Sequence, residues 1–273
     1  MSIIERLSSN PILLTDLDGT VLYDGSIPEE LKKLSKKLKN IGVHFTFATG
    51  RSKIPALKYA RQLNIDIPII CSGGAIMADT ETGIDIYRHI INEKLAIQII
   101  KNLNPSINIA IYSDDQIYIY KKAATPDSSA FKWIEDYCKR QKIKLNQVND
   151  LIKIPNKIVI LLVGNEEEIG STNKYLKTNY SNLEINNIFP NMCEISSERG
   201  SKINAAIDLL KLLNLPKDNL FYFGDGPADL NLIKYAKYGF TVKGSFASKM
   251  IPKANSIEAP NKLGFVNYIN SII

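Results

Sequence analysis

Short apolar segments alternate with amphipathic helical segments in the first part of the chain, and this alternation constrains the fold more than any other feature. "PILLTD" is followed by a pattern with leucines at helical spacing that stops at Gly42. "VHFTFATG", a second helical pattern over about residues 56–63, and "IPIICSGG" continue the series. Strand, helix, strand, helix, strand predicts a parallel sheet with helices on its faces.

The same alternation returns near the C-terminus, whereas the middle of the chain differs. "SKINAAIDLLKLLNL", "LFYFGD", "PADLNLIKYA" and "YGFTVKG" read as helix, strand, helix and strand. Between them, "INIAIYSDDQIYIYK" reads as two strands that turn at Asp114 and Asp115, and further strands lie around Ile185 and Cys193. Strands joined by a tight turn indicate an antiparallel sheet. We therefore predict an α/β fold with a parallel-sheet core, residues 1–88 and 191–273, and an inserted α/β domain, residues 89–190.

Polar side chains stand directly after several of the predicted core strands. Asp16 and Asp18 follow the first strand, Thr49 follows the second, and Asp225 follows "LFYFG". Because the carboxyl ends of parallel strands share one edge of the sheet, where ligands bind, we expect these side chains to meet. Buried carboxylates cost free energy unless a cation, a proton or a ligand compensates them.

A divalent cation is the best compensation for these carboxylates. Asp229, close after Asp225, brings their number to four, and such an all-oxygen set suits a hard cation, magnesium above all. Lys202 lies at the start of a predicted helix, where its charge and the helix N-terminus favour an anion. A nucleophile, a metal, a positive charge and the Thr49 hydroxyl form the set that moves a phosphoryl group.

Composition and charge argue against nucleic acid as a partner. A hydrophobic content of 45% and a charged content of 23% are typical of globular proteins. The net charge of +6 comes mostly from lysines, while arginines are few and scattered. Proteins that bind nucleic acids usually cluster basic residues and add arginine forks. The lysine run in "LKKLSKKLK" alternates with leucines, as on the solvated face of a helix.

Several other classes of protein lack support in the sequence. No apolar run is long enough to cross a membrane, and "MSIIERLSSN" lacks the apolar region of a signal peptide. Two histidines, His44 and His89, give little support to a zinc site or a Ser-His triad. Three cysteines without metal-ligand spacing indicate reduced, buried thiols in a cytoplasmic protein. They are Cys71, Cys138 and Cys193.

Two nucleotide-binding motifs are also incomplete. "RGSK" lacks the upstream glycine of a Walker sequence. "GDGPAD" has two glycines of a dinucleotide fingerprint, but Asp225 and Asp229 would repel a pyrophosphate. A metal ion bound by these two carboxylates would instead attract a phosphate group.

Four motifs, in order, resemble those of the haloacid dehalogenase-like superfamily of phosphatases and phosphotransferases. "DLDGT" matches the first motif, "ATGR" the second, Lys202 in "RGSK" the third and "GDGPAD" the fourth. The resemblance implies a Rossmann-like core. The insert follows the third strand, as in the Cof-like branch with a type IIB α/β cap, whose members mostly hydrolyse sugar phosphates and related small phosphates.

The resemblance also implies roles for individual residues. Asp16 is expected to attack phosphorus and form an aspartyl-phosphate. Asp18 is expected to act as acid and base, with its backbone carbonyl on the metal. The residues expected to hold the phosphate or substrate are Thr49, Gly50, Lys202, Ser72 and Gly73. Those expected to hold Mg²⁺ are Asp16, Asp18, Asp225 and Asp229.

The chain departs from the family pattern at two positions. Gly73 and Ala228 stand where relatives often have asparagine. These two differences weaken any argument that this chain acts on the same substrate as a particular relative.

Some residues also have plain structural interpretations. Asp16 and Asp18 suit a turn, Lys202, Arg51 and Arg199 suit a charged surface, and Ser72 with Gly73 suits a tight turn.

We expect a Mg²⁺-dependent phosphatase of a small phosphorylated metabolite, with a sugar phosphate as the expected substrate. Two alternatives stay open at this point. A phosphomutase shares the motifs, and a degenerate binding or regulatory module would keep the fold without turnover. The sequence indicates neither the substrate nor the oligomeric state nor the pathway.

Overall fold

The structure, a computed structural model, describes residues 10–120 and 131–273. Residues 1–9, which carry most of the segment compared with a signal peptide, lie outside it, as do residues 121–130. Among the helices of the described residues, none has the length and apolar character needed to cross a membrane.

Strands and helices alternate through most of the described chain. The strands are β1 (Ile12–Thr15), β2 (His44–Phe47), β3 (Ile69–Cys71), β4 (Ile76–Ala78), β5 (Asp85–Arg88), β6 (Asn108–Ser113), β7 (Gln116–Tyr120), β8 (Lys144–Val148), β9 (Lys157–Val163), β10 (Leu183–Phe189), β11 (Met192–Ser197), β12 (Leu220–Gly224), β13 (Tyr238–Val242) and β14 (Asn255–Ile257). The α-helices are α1 (Glu29–Asn40), α2 (Lys53–Gln62), α3 (Glu93–Asn102), α4 (Lys132–Gln141), α5 (Glu166–Asn179), α6 (Lys202–Leu212), α7 (Leu230–Tyr235), α8 (Phe246–Met250) and α9 (Gly264–Asn270).

The chain divides into two compact units. Within the described residues, the first unit comprises 10–51, 56–87 and 202–273, and the second comprises 52–55, 88–120 and 131–201. The second unit therefore extends past residue 190, where the boundary was predicted. Since β11 pairs antiparallel with both β9 and β10, the residues from Met192 to Ser197 belong to the second unit.

A parallel five-stranded sheet forms the centre of the first unit. Its strand order is β14, β13, β12, β1, β2, and every neighbouring pair is parallel. All four residues of β1 are buried, as expected for a strand covered on both faces. This is the predicted parallel sheet. The strand β14, which follows the last predicted strand, was not predicted because its Asn-Ser-Ile segment has no apolar run.

The predicted third strand of that sheet is only loosely attached to it. A single parallel bridge, between Ala48 and Ile70, connects β3 with the end of β2. The chain then turns back at Ser72–Gly74, so that β3 pairs antiparallel with β4 in a separate sheet of order β3, β4, β5. The glycine pair after β3 favours this reversal because both glycines adopt positive φ angles.

The second unit is built on a six-stranded sheet of order β10, β11, β9, β6, β7, β8. Its neighbours pair antiparallel except β7 and β8, which are parallel. The seven residues of β9 are all buried. Because strand side chains alternate between faces, Ile160 packs in one apolar cluster and Leu161 in the other. Residues of α3 and α5 complete the first cluster and residues of α4 complete the second.

Candidate active site

The ends of β1 and β12 bring two of the predicted carboxylates together. These strands pair in parallel with Thr15 opposite Phe223, and the Asp16 N–H donates to the Phe223 carbonyl at 2.8 Å. Asp16 and Asp225 therefore leave neighbouring strands at the same edge of the sheet. Asp229 joins them from the short turn after β12, so that one oxygen of each carboxylate lies within 4.8 Å of the others. We call Asp16, Asp225 and Asp229 the carboxylate cluster.

Two glycines make room for the carboxylate cluster. A Cβ atom on Gly19 would lie 2.4 Å from Asp225 Oδ2, and one on Gly224 would lie 2.5 Å from Asp229 Cβ. Gly19 also has a φ of +78°, which other residues rarely adopt. Glycine at these two positions of "DLDGT" and "GDGPAD" thus allows the backbone to approach the carboxylates closely.

Lys202 places one positive charge within the carboxylate cluster. It is the first residue of α6, and its ammonium lies 2.7 Å from Asp16 Oδ1 and 2.7 Å from Asp229 Oδ1. Burial alone would lower the pKa of Lys202, but Asp16 and Asp229 outweigh it and raise that pKa above its usual value. Lys202 is therefore a permanent cation held between two carboxylates.

One ammonium does not compensate three carboxylates, of which Asp16 and Asp229 are buried and Asp225 is partly buried. Burial raises the pKa of Asp16 well above its usual range, against the effect of Lys202, and Asp229 and Asp225 raise it further. Burial, followed by the charge of Asp229, raises the pKa of Asp225 to about 6. A divalent cation would supply the missing charge, and the all-oxygen donor set fits Mg²⁺.

Asp18 lies apart from the carboxylate cluster, although it is only two residues from Asp16. Its two oxygens accept from Arg51 Nε at 2.7 Å and from Arg51 Nη2 at 2.6 Å. The Asp18 side chain is 51% exposed. The Arg51 guanidinium lies 4.8 Å from the centre of the Tyr59 ring. The two aspartates of "DLDGT" thus have different surroundings, one buried against Lys202 and one half-exposed against Arg51.

The predicted phosphate-binding residues of the second motif lie beside an open space. The buried Thr49 hydroxyl oxygen accepts from the Arg51 N–H at 3.2 Å, which leaves its hydrogen for another acceptor. A Cβ atom on Gly50 would meet no atom within 4 Å. A small anion can therefore approach this loop without steric hindrance from Gly50.

Ser72 and Gly73 support the loop that carries Thr49. The Ser72 N–H donates to the Arg51 carbonyl at 2.8 Å, and the Gly73 N–H donates to the Thr49 carbonyl at 3.0 Å. Both residues have positive φ angles, so they form the tight turn that the sequence allowed. Their amides are already used within the protein. A ligand-binding role at this turn would thus fall to the Ser72 hydroxyl.

Two contacts in the candidate site were not predicted. The Thr20 hydroxyl donates to Asp225 Oδ1 at 2.9 Å, and the Tyr222 hydroxyl donates to Asp229 Oδ1 at 2.6 Å. A signal for each was present, because Thr20 belongs to "DLDGT" and Tyr222 is a hydroxyl-bearing residue inside the apolar strand "LFYFG". Arg199, whose predicted role was open, belongs to the second unit.

Comparison with known proteins identifies the family. Residues 13–262 match the model of the haloacid dehalogenase-like hydrolases. The chain belongs to this family. A haloacid dehalogenase-like hydrolase was predicted from the four motifs, and that prediction is confirmed. A protein of Buchnera aphidicola subsp. Baizongia pistaciae named "Putative phosphatase" is 27% identical over 267 residues, 96% of this chain and 97% of its own.

Solved structures of haloacid dehalogenase-like hydrolases share the fold of this chain over nearly its full length. One such hydrolase, from Bacteroides thetaiotaomicron, superposes with a TM-score of 0.80 at 16% identity and covers 97% of this chain and 100% of its own. A subclass IIB sugar phosphatase superposes with a TM-score of 0.78 at 18% identity, with coverage of 97% and 100%. The predicted α/β fold class, a Rossmann-like parallel-sheet core with an inserted α/β domain, is confirmed.

Proposed function

We propose that this haloacid dehalogenase-like hydrolase is a Mg²⁺-dependent phosphatase of a small phosphorylated metabolite, with sugar phosphates as the substrate class. The observation that carries the proposal is the position of Asp16, at the end of β1, between the Lys202 ammonium and the Asp225 carboxylate. The names of the relatives, and the shared fold of a sugar phosphatase, support the reaction and the substrate class.

The proposed reaction has two steps. An Asp16 oxygen forms a bond to phosphorus as the bond between phosphorus and the alcohol oxygen breaks, and Asp18 gives that oxygen a proton. Water then attacks the aspartyl-phosphate, Asp18 takes the proton of the water, and inorganic phosphate leaves with Asp16 restored.

The other residues position the phosphoryl group and balance its charge. Lys202 offsets the negative charge beside Asp16, and the Thr49 hydroxyl donates to a phosphate oxygen at the open space next to Gly50. Mg²⁺, held by Asp16 and Asp225, by the Asp18 backbone carbonyl and by Asp229 directly or through water, would neutralise charge on the phosphate oxygens. Because Asp18 is half-exposed, its carboxylate can exchange Arg51 for the leaving oxygen without a change in the core.

The same residues would serve a phosphomutase, and a regulatory module could keep them without turnover. Phosphate release from a panel of sugar phosphates, measured with and without Mg²⁺, separates these functions. A phosphatase releases phosphate only with Mg²⁺, whereas a mutase converts isomers faster than it releases phosphate. A module without turnover does neither. The presence of Asp16, Asp18, Lys202 and Asp225 favours an enzyme over a module without turnover, and the relative named "Putative phosphatase" favours the phosphatase over the mutase.

The cysteine thiols bear on the cellular compartment of the proposed reaction. Cys71, Cys138 and Cys193 are all buried, and none of these three forms a disulfide bond. Cysteines without disulfides are usual where the compartment keeps thiols reduced. We therefore propose that the enzyme acts in the cytoplasm. We also propose that its substrate is a small molecule and that neither nucleic acid nor a membrane is a partner.

Removal of divalent cations is expected to stop phosphate release. Treatment with EDTA followed by dialysis should lower the rate by about a hundredfold or more, because a metal contributes several kcal/mol to the stabilisation of phosphoryl charge. Addition of Mg²⁺ should restore the rate, and Asp225→Asn should raise the Mg²⁺ concentration that is required. A chelated protein that keeps more than a tenth of its rate would exclude the proposed metal dependence.

We propose that the second unit selects the substrate. A chain in which residues 88–201 are replaced by a short glycine-serine linker should still hydrolyse nitrophenyl phosphate, since the predicted catalytic residues lie outside this segment. It should lose most of its discrimination among sugar phosphates. An unchanged ranking of substrates would place specificity in the first unit instead.

A second truncation tests where the units divide. Removal of only residues 90–189 leaves β11 without its partners β9 and β10. A strand that loses both its partners exposes unpaired edges and its buried side chains, which promotes aggregation, so this chain should be recovered mainly in the insoluble fraction, unlike the 88–201 replacement.

A further inference from the structure

The Tyr222 side chain is a buried polar group aimed at the carboxylate cluster. It lies on β12, fully buried, and points to the same face as Gly224. Its hydroxyl donates to Asp229 Oδ1 at 2.6 Å. A phenol carries its proton near neutral pH, and the Asp229 carboxylate is an acceptor, so the Tyr222 hydroxyl is the donor of this bond.

Asp229 receives four hydrogen bonds, of which Tyr222 supplies one. Lys202 Nζ also donates to Oδ1, at 2.7 Å. The backbone N–H groups of Asp225 and Gly226 donate to Oδ2, at 3.0 and 2.8 Å. A carboxylate has about four lone-pair positions, so these donors occupy all of them. A cation could bind Asp229 directly only by displacing a donor.

We propose that Tyr222 is a positioning residue of the metal site. Its hydrogen bond keeps Asp229 out of direct contact with the cation, so that Asp229 instead supports Lys202 and the turn after β12. This inference rests on the proposed function. Asp16 and Asp225 are then the carboxylates that bind Mg²⁺ directly, and Asp229 acts through a water molecule and through Lys202.

Loss of the Tyr222 hydroxyl has two physical consequences. Asp229 Oδ1 then keeps only the Lys202 donor, so the less restrained carboxylate can turn toward a cation and give the site a third direct carboxylate. The charge of Asp229, no longer offset by the phenol, also attracts Lys202 more strongly and draws it from Asp16. Ca²⁺ accepts more oxygen ligands and tolerates less regular geometry than Mg²⁺, so Ca²⁺ gains more from the additional carboxylate.

The test compares wild-type protein, Tyr222→Phe and Tyr268→Phe. Tyr268 lies in the same unit, packs against Phe223 and Phe240, and provides the matched loss of one tyrosine hydroxyl. Titration calorimetry with Mg²⁺ and with Ca²⁺ alone gives the affinities without any need for a substrate. Tyr222→Phe should bind Ca²⁺ about two- to tenfold more tightly, the range that one hydrogen bond supports, with a smaller gain for Mg²⁺. Its kcat should fall by about tenfold, as for other residues that orient metal ligands.

The outcomes separate this inference from the proposed function. Wild-type protein that binds Mg²⁺ and a Tyr222→Phe variant with unchanged affinities, unchanged preference and only a lower Tm would give Tyr222 a purely structural role and overturn the inference. A wild-type protein without affinity for either cation would overturn the proposed function and the inference with it.

A crystal structure of the wild-type protein with Mg²⁺ tests the inference without any variant. It should show direct bonds of about 2.1 Å from the ion to Asp16 and Asp225, and a water between the ion and Asp229. A direct bond from Asp229 to Mg²⁺ would contradict the inference, whatever the behaviour of Tyr222→Phe.

Discussion

Asp16→Asn is expected to lower phosphate release by at least about a thousandfold, because removal of a covalent nucleophile eliminates the pathway that it serves. The amide has nearly the size of the carboxylate but does not attack phosphorus. The protein should stay folded, since the substitution relieves repulsion within the carboxylate cluster and Lys202 keeps its contact with Asp229. Circular dichroism and the Tm in the absence of Mg²⁺ check the fold.

The matched control for this variant is Asp66→Asn. Asp66 lies in the same unit and forms an exposed ion pair with Lys39 at 2.9 Å, so its substitution should leave turnover unchanged. Intact-mass measurement on quenched samples should find a phosphorylated form in wild-type protein but not in Asp16→Asn. An Asp16→Asn rate within tenfold of wild type would exclude Asp16 as the nucleophile.

Asp18→Asn is expected to have an effect that depends on the leaving group. A sugar alkoxide needs a proton as its bond to phosphorus breaks, whereas nitrophenolate hardly needs one. Proton transfer by a positioned group contributes about a hundred- to ten-thousandfold. The first step should therefore slow by this factor for a sugar phosphate and only mildly for nitrophenyl phosphate.

The second step should slow with either substrate, because the water has lost its base. Rapid mixing of Asp18→Asn with nitrophenyl phosphate should release about one nitrophenolate per site in a burst, followed by a slow phase. The sugar phosphate should give no burst. Equal slowing of the first step for both substrates would mean that Asp18 is not the proton donor.

Arg51→Gln provides the control for Asp18→Asn. It breaks the same ion pair, in which Arg51 holds both Asp18 oxygens, but it leaves the carboxylate in place. It should change both substrates by a similar factor and produce no burst. This comparison separates the loss of the proton from the loss of the ion pair.

Elements with a strong apolar pattern could be predicted from the sequence alone. β1, β9 and β12 are continuous apolar runs, and α1 carries leucines at helical spacing, so local patterning was sufficient. β8 is largely polar, with the sequence KLNQV, and was not predicted. Its parallel pairing with β7 stabilises it as a strand, and no local pattern reports that pairing.

The meeting of Asp16 with Asp225 was predictable for a similar reason. Each follows an apolar strand directly, and parallel neighbours in a sheet end at the same edge. The catalytic roles of Asp16, Asp18, Thr49 and Lys202 stay predictions, for which the arrangement of the first unit is the support. The second unit continues past residue 190, the predicted boundary, because β11 pairs with β9, and a pairing between distant strands is not visible in a local pattern.

The order of the four motifs was enough to predict the family, and the periodicity of the apolar segments was enough to predict the parallel sheet with carboxylates at its edge. How the side chains share their hydrogen bonds depends on the tertiary structure. It placed Asp18 against Arg51 rather than in the carboxylate cluster, and it placed the Tyr222 hydroxyl on Asp229. The geometry of such contacts depends on how whole strands, turns and helices pack together, which no local pattern encodes.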